Sequence, residues 1–315
     1  MLTSPPAASR PWVTVLAVLF CVGTAARADD HDRGPYVGFH AGYLDASSLD
    51  SGVTALNHPT KCDVLLYPDP SLAPTGDPEC QADTPTPFSE TRQDPGGAFT
   101  GFLTGGYDFG SVRLEAEYTV RRHVGEGVPV LPAPGNAALT GKGGEWSPLD
   151  PPTETIRSIT SRELFLNGHW DFENNSSWTP FVGVGVGVSR TRVLYSIRFV
   201  RKTLAQGYQD VEPPLELVNR PAEAAGTLSL FDCELGDTLM GYQLLAGLER
   251  SLGDRTSFVV KARWTRFDDL NDVGEWQLIR SHEPVQADGV TPFVSAHEFD
   301  PIGYLGVTAG LRYSF

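Results

Sequence analysis

Residues 305–315 read LGVTAGLRYSF, and their side chains sort by parity. Leu305, Val307, Ala309, Leu311, Tyr313 and Phe315 take one set of alternate positions, and Gly306, Thr308, Gly310, Arg312 and Ser314 take the other. Successive strand residues point to opposite faces of the pleat, so this is a strand with one apolar face and one small or polar face. The apolar face can meet a protein core or a bilayer. The rest of the chain has to separate the two.

Seven further segments repeat the habit: 36–44 (YVGFHAGYL), 98–110, 112–124, 159–172, 180–195 (PFVGVGVGVSRTRVLY), 238–252 and 257–267. Their connections alternate in length. Short turns at 108–111, 173–179 and 253–256 read as hairpins. The long insertions fall at about 45–97, 123–153, 196–237 and 268–300 and lack convincing periodicity, apart from a helical turn predicted around 214–225. Long connections without structure are uncommon in a compact soluble domain. Four on one end of an up-and-down meander fit a transmembrane barrel, with short periplasmic turns and longer extracellular loops. The fold expected is all-β, an eight-stranded antiparallel barrel over residues 29–315.

Residues 1–28 have the layout of a secretory signal peptide: Arg10, an apolar run at 12–22, and Ala26-Arg27-Ala28 before the expected cleavage. The run is too short to span a bilayer as a helix, which takes about 20 residues. Phe20 before Cys21 argues against a lipid anchor. The formal net charge of −15 argues against nucleic acid as a partner. Cys62, Cys80 and Cys233 remain in the mature chain and suit an oxidising compartment. Cys62 and Cys80 are the nearer pair and the expected disulfide; three inert thiols are the alternative.

One parity carries Phe99, Leu103, Tyr107 and Phe109, then Val112, Leu114, Ala116, Tyr118 and Val120, then Val182 through Val188, then Phe258, Val260, Ala262 and Trp264. The opposite parity carries charge: Arg113, Glu115, Glu117 and Arg121, then Glu163 and His169, Lys261 and Arg263, and Arg312. Alternation alone does not say which face is the lumen, so a soluble barrel stays open as the alternative. Three features favour the membrane: the one-sided loops, the aromatics near the short turns (Tyr107, Phe109, Trp170, Phe172, Tyr313, Phe315), and Gly183, Gly185 and Gly187. Aromatic rings favour the headgroup level, and the glycines leave room for long side chains in a narrow interior.

The segments GPYVGFHAGY, GGYDFGSVRLEAEY, TPFVGVGVGVSRT and LGVTAGLRYSF resemble the small outer-membrane barrels related to the outer-membrane protein A barrel and the opacity-type surface antigens. The resemblance covers the eight strand segments but not the loops. It implies a cell outer-membrane location, with outer-membrane lipid and lipopolysaccharide around the barrel. It also implies that Phe315, with Tyr313, is the signal read by the barrel-insertion machinery. No peptidoglycan-binding domain is expected.

An eight-stranded barrel is about wide enough for side chains to fill. Glu115 and Glu117 are expected across the lumen from Lys261 and Arg263, either as a plug of compensated charge or as a gate that exchanges partners. Arg113, Arg121 and Glu163 belong to the same network. A lipid-modifying enzyme would need a serine and a histidine within hydrogen-bond reach. His123, Ser281, His282 and His297 are assigned to loops and read as solvated. The acidic stretch 268–275 lacks the ligand spacing and central glycine of an EF-hand. No catalytic residue, cofactor or metal is expected. The loops, with Tyr67, Trp146, Tyr208 and Trp276 as anchors, are the expected surface for a host or envelope ligand. The leading reading is a surface-exposed scaffold for interaction or envelope integrity. A small-solute pore or a lipid-modifying enzyme is the alternative.

Overall fold

Alternating segments with tight turns between them form strands because each apolar face needs a partner and each backbone N–H needs an acceptor. The computed structural model describes residues 33–57, 85–130, 146–207, 225–279, 284–285 and 290–315. The expected signal peptide, Cys62, Cys80, Tyr67, Tyr208, Ser281, His282 and most of 214–225 lie outside the described residues. Eight long strands form the barrel: β1 (Gly34–Ala46), β4 (Gly97–Asp108), β5 (Val112–His123), β7 (Thr153–Asp171), β8 (Thr179–Val200), β9 (Leu228–Ser251), β10 (Thr256–Phe267) and β13 (Gly303–Ser314). The order β4-β1-β13-β10-β9-β8-β7 returns through β5, which pairs with both β7 and β4, so the ring is closed and antiparallel throughout. Closure leaves no unpaired edge, which a bilayer would not tolerate.

The turn after β4 illustrates the local chemistry. Asp108 Oδ1 accepts from the Gly110 N–H at 2.8 Å, and Phe109 N–H donates to Val112 O at 2.9 Å. Gly110 sits at φ +105°, a conformation that favours glycine.

The four long insertions differ from the structureless loops expected. Residues 45–97 contain β2 (Leu49–Ala55) and β3 (Thr86–Gln93); residues 268–300 contain β11 (Leu270–Glu275) and β12 (Val294–Phe299). These four make a second antiparallel sheet in the order β11-β12-β2-β3. Residues 123–153 contribute β6 (Gly127–Pro129), paired with β7. The two ends of 196–237 are wall, since β8 and β9 stay paired from Thr179↔Glu249 to Val200↔Leu228. His123 and His297, assigned to loops, lie on β5 and β12 and are buried.

The reason is visible in β3. Its inward residues are Ser89, Thr91 and Gln93, so it has no apolar alternation to read, and its pairing with β2 is set by the tertiary structure. Strand length explains where the sheet sits. At about 3.3 Å per residue, the 22 residues of β8 extend about 70 Å. Tilted as barrel strands are, that is roughly twice the height of an apolar band of about 25 Å. The upper halves of β7, β8 and β9 therefore stand clear of the bilayer, and the second sheet closes over them. Leu230 and Leu278 exchange backbone hydrogen bonds of 2.8 and 3.1 Å, tying β9 to the chain just after β11.

Candidate functional site: a filled lumen

The barrel wall is apolar outside. Val182, Val184, Val186 and Val188 on β8, Leu164, Leu166 and Trp170 on β7, and Leu305, Val307 and Leu311 on β13 are all exposed. Tyr107, Phe109, Trp170, Phe172, Tyr313 and Phe315 are exposed at the short-turn end, where they form an aromatic girdle. A ring of exposed valine and leucine around a closed sheet needs a lipid surround. The fold is that of an outer-membrane β-barrel.

No protein-family model matches the chain, and no curated protein sequence matches it. Solved structures are similar in shape. Neisserial surface protein A aligns over 89% of this chain and 97% of its own, at 12% identity and TM-score 0.38. The outer-membrane protease OmpT of Escherichia coli aligns over 90% and 97%, at 10% identity and TM-score 0.43. The outer-membrane protein OprG of Pseudomonas aeruginosa aligns over 90% and 97%, at 14% identity and TM-score 0.43.

Inside this outer-membrane barrel, charged side chains are stacked in tiers. At the short-turn end, Arg113 donates to Glu249 Oε2 at 2.7 Å and to Asp171 Oδ1 at 2.5 Å. Arg312 reaches Asp108 at 2.8 Å and Glu249 Oε1 at 2.7 Å. Above them Lys261 Nζ donates to Glu115 Oε1 at 2.8 Å, Tyr36 OH donates to Glu115 Oε2 at 3.2 Å, and His169 Nε2 lies 3.4 Å from Oε1. In the next tier Arg263 grips Glu117 with two bonds, 2.7 and 2.8 Å, and stacks 3.8 Å over Phe102. Gln243 Nε2 donates to Asn167 Oδ1 at 2.7 Å beside it. The top tier is Arg121 to Glu163 at 2.9 Å, with Arg121 stacked 3.9 Å over Tyr304 and Ser161 donating to Glu163 at 2.7 Å.

Every one of these carboxylates and cations is buried. The tiers bring together Arg113, Glu115, Glu117, Arg121, Glu163, Lys261 and Arg263, though not as a single cluster. Sequence reasoning missed Asp108, Asp171 and Glu249, which hold Arg113 and Arg312. The signal was present: Asp171 shares parity with His169, and Glu249 with Gln243.

The glycines of β8 make room for the tiers. Gly183, Gly185 and Gly187 pair with His169, Asn167 and Phe165 on β7, and a Cβ on any of the three would press into the opposing side chain. Large residues on one strand fill the space that small ones leave on the next.

Above Arg121 the lumen changes character. Ile156, Val193, Tyr195, Ile197, Phe199, Phe231, Trp276 and Phe299 form one buried apolar cluster with Leu49 and Val53. A polar strut crosses it. Glu154 of β7 is fully buried and accepts from Ser51 Oγ at 2.7 Å and Ser89 Oγ at 3.4 Å. Ser51 has one hydrogen to give, so Thr91, 2.7 Å away, donates to it. Trp276 donates from Nε1 to Ser295 at 2.8 Å, and Trp146 packs at the edge of the cluster against Phe199.

His297 lies between Tyr195 and Phe231, at ring distances of 4.9 and 4.4 Å, and burial pushes its pKa down to about 3. His123 stacks on Tyr304, with Nδ1 3.1 Å from Gly96 O. Among the described residues neither ring meets a serine hydroxyl. Cys233 is a free, half-buried thiol whose pKa rises to about 12 through burial and the nearby Asp232 and Asp272.

Proposed function

We propose that the protein is a non-conducting scaffold that holds a packed cap at the cell surface, and that the cap's outer face is its interaction surface. The observation that carries this reading is continuity of filling. The lumen passes from ion-pair tiers directly into an apolar core, with side chains across the bore at each level. The paired charges act as a plug. Releasing one partner of a buried pair costs about 3–5 kcal/mol, too much for a gate that opens thermally and often.

The cap's outer face has its own chemistry. A depression of about 540 Å³ lies over the second sheet, with Glu90 and Glu298 on its lining, and would favour a cationic or hydrogen-bonding ligand. Such a surface is binding chemistry carried by a rigid frame.

The test is single-channel recording of the refolded full chain in planar bilayers. The expected record has no unitary steps up to the voltage at which the bilayer itself fails. Reproducible steps from wild-type protein would overturn the plug. Protease shaving of intact cells should cut in the cap alone. A cap fully protected on intact cells would overturn the surface assignment.

A further inference from the structure

Directly above the apolar band, one sector of the outer wall carries arginine without acid. The cross-strand pair Leu164↔Val188 closes the band on β7 and β8; the next outward pair is Arg162↔Arg190. On the neighbouring strand Val120 pairs with Arg162, and the next outward residue is Arg122, opposite Thr160. Arg122, Arg162 and Arg190 are exposed, and none of them has an ion pair or side-chain hydrogen bond among the described residues. The arginines higher on this wall differ: Arg192 pairs with Glu234, Arg157 with Asp232 and Arg198 with Asp150.

Like charges set directly opposite on a sheet repel, with Cβ atoms about 5 Å apart, and diagonal neighbours are about 7–8 Å apart. An uncompensated triplet runs against the composition of a chain with formal net charge −15. Its height identifies what would compensate it. Two residues above Leu164 and Val188 is a rise of about 6 Å, which is the step from acyl chain to headgroup. Arginine's planar fork matches phosphate geometry.

We propose that Arg122, Arg162 and Arg190 hold the phosphate of an outer-leaflet glycolipid whose acyl chains run down Tyr118, Val120, Leu164, Leu166, Val186 and Val188. This rests on the membrane-barrel fold and not on the closed lumen. The arginines act as the anion grip and the apolar wall below them as the acyl track, so headgroup and chains are recognised together.

The experiment is native mass spectrometry of the full refolded chain, released from detergent micelles containing diphosphorylated lipid A. Parallel samples contain the dephosphorylated lipid or inorganic phosphate alone. Wild type is expected to retain one lipid A, with at least tenfold preference over the dephosphorylated form. Arg122→Gln/Arg162→Gln/Arg190→Gln should lose that preference, and the Lys triple variant should keep part of it. Heat-modifiable gel migration reports the barrel in each variant, and Arg162→Gln alone serves if the triple variant does not refold.

A second readout separates binding from structure. In lipid-free detergent Arg162→Gln should melt no lower than wild type, because a repulsion is relieved. Added lipid A should raise the melting temperature of wild type alone. Equal lipid retention by wild type and variant, or displacement of the lipid by equimolar inorganic phosphate, would overturn the proposal. Failure of the barrel fold itself would appear separately, as wild-type protein dispersed without detergent.

Discussion

The lower and upper halves of β8 and β9 share strands and parity, yet their hydrophobic polarity is reversed. On β7 a register shift between Ile156 and Ser158 moves the inward set from odd to even positions. On β8 the odd positions point inward throughout. From 181 to 191 they are Phe, Gly, Gly, Gly, Ser and Thr, facing a charged lumen; from 193 to 199 they are Val, Tyr, Ile and Phe, facing an apolar core. The even positions do the opposite, from Val182–Val188 facing lipid to Arg190, Arg192 and Arg198, which are exposed. One sheet therefore crosses from a solvent of hydrocarbon into water without a break in hydrogen bonding. The apolar face follows the solvent: outward where lipid surrounds the wall, inward where water does. Burial of apolar area drives the upper half, at roughly 25 cal/mol per Å². In the lower half, backbone pairing and compensated charge are the governing terms.

The largest effects should come from breaking each half in its own way. Glu117→Ala leaves Arg263 buried without its carboxylate and should cost about 3–5 kcal/mol, read as a lower urea midpoint in detergent. Replacing both partners with apolar residues of similar volume should recover most of it. Phe231→Ala opens a cavity in the upper core at a similar cost of about 3–5 kcal/mol. Its signature should differ, with faster proteolysis of the cap while heat-modifiable migration of the barrel is kept. If Phe231→Ala abolished that migration, the two halves would be a single cooperative unit.

The outward face gives a sharper contrast. Val184→Arg places a charge on the lipid face near mid-band and should destabilise by about 2–4 kcal/mol. Leu194→Arg, ten residues along the same face, should change stability by less than about 0.5 kcal/mol. Unfolding titrations in bilayers should separate them, and equal effects would place Leu194 in lipid.

In the cap, the pH response centres on His297. His297 has a folded pKa pushed down to about 3 against an ordinary 6.5, so below pH 6.5 the unfolded chain takes up a proton that the fold refuses. Cap stability should fall as pH drops from 6.5 towards 3 and level off below that. His297→Phe should flatten this decline in cap proteolysis rates. The smallest effect is chemical. Cys233, its thiol raised to about 12, should resist alkylation at pH 8 in the folded protein and react once the cap is unfolded.

Strand parity made much of the lower barrel legible. The alternation in 112–124 and 305–315 sorted the side chains onto two faces, and the one-sided loops and terminal aromatics said which face met lipid. The upper half was harder to read. In β3 the inward set is Ser89, Thr91 and Gln93, in β11 it is Leu270, Asp272 and Gly274, and β2 pairs with β12 across some 240 residues of chain. A short strand with a polar inner face has no local signature, because what stabilises it is a neighbour distant in sequence.

The sequence by itself determined which side chains share a face, since a pleat offers only two sides, and where the wall turns, since short polar turns interrupt the alternation. The tertiary structure alone decided which carboxylate meets which cation, because that depends on the stagger between strands, as in Arg113 reaching Asp171 and Glu249 together. It also decided that the insertions fold over the barrel as a second sheet, because apolar faces such as Val193 to Phe199 gain most from burial when a partner wall closes on them.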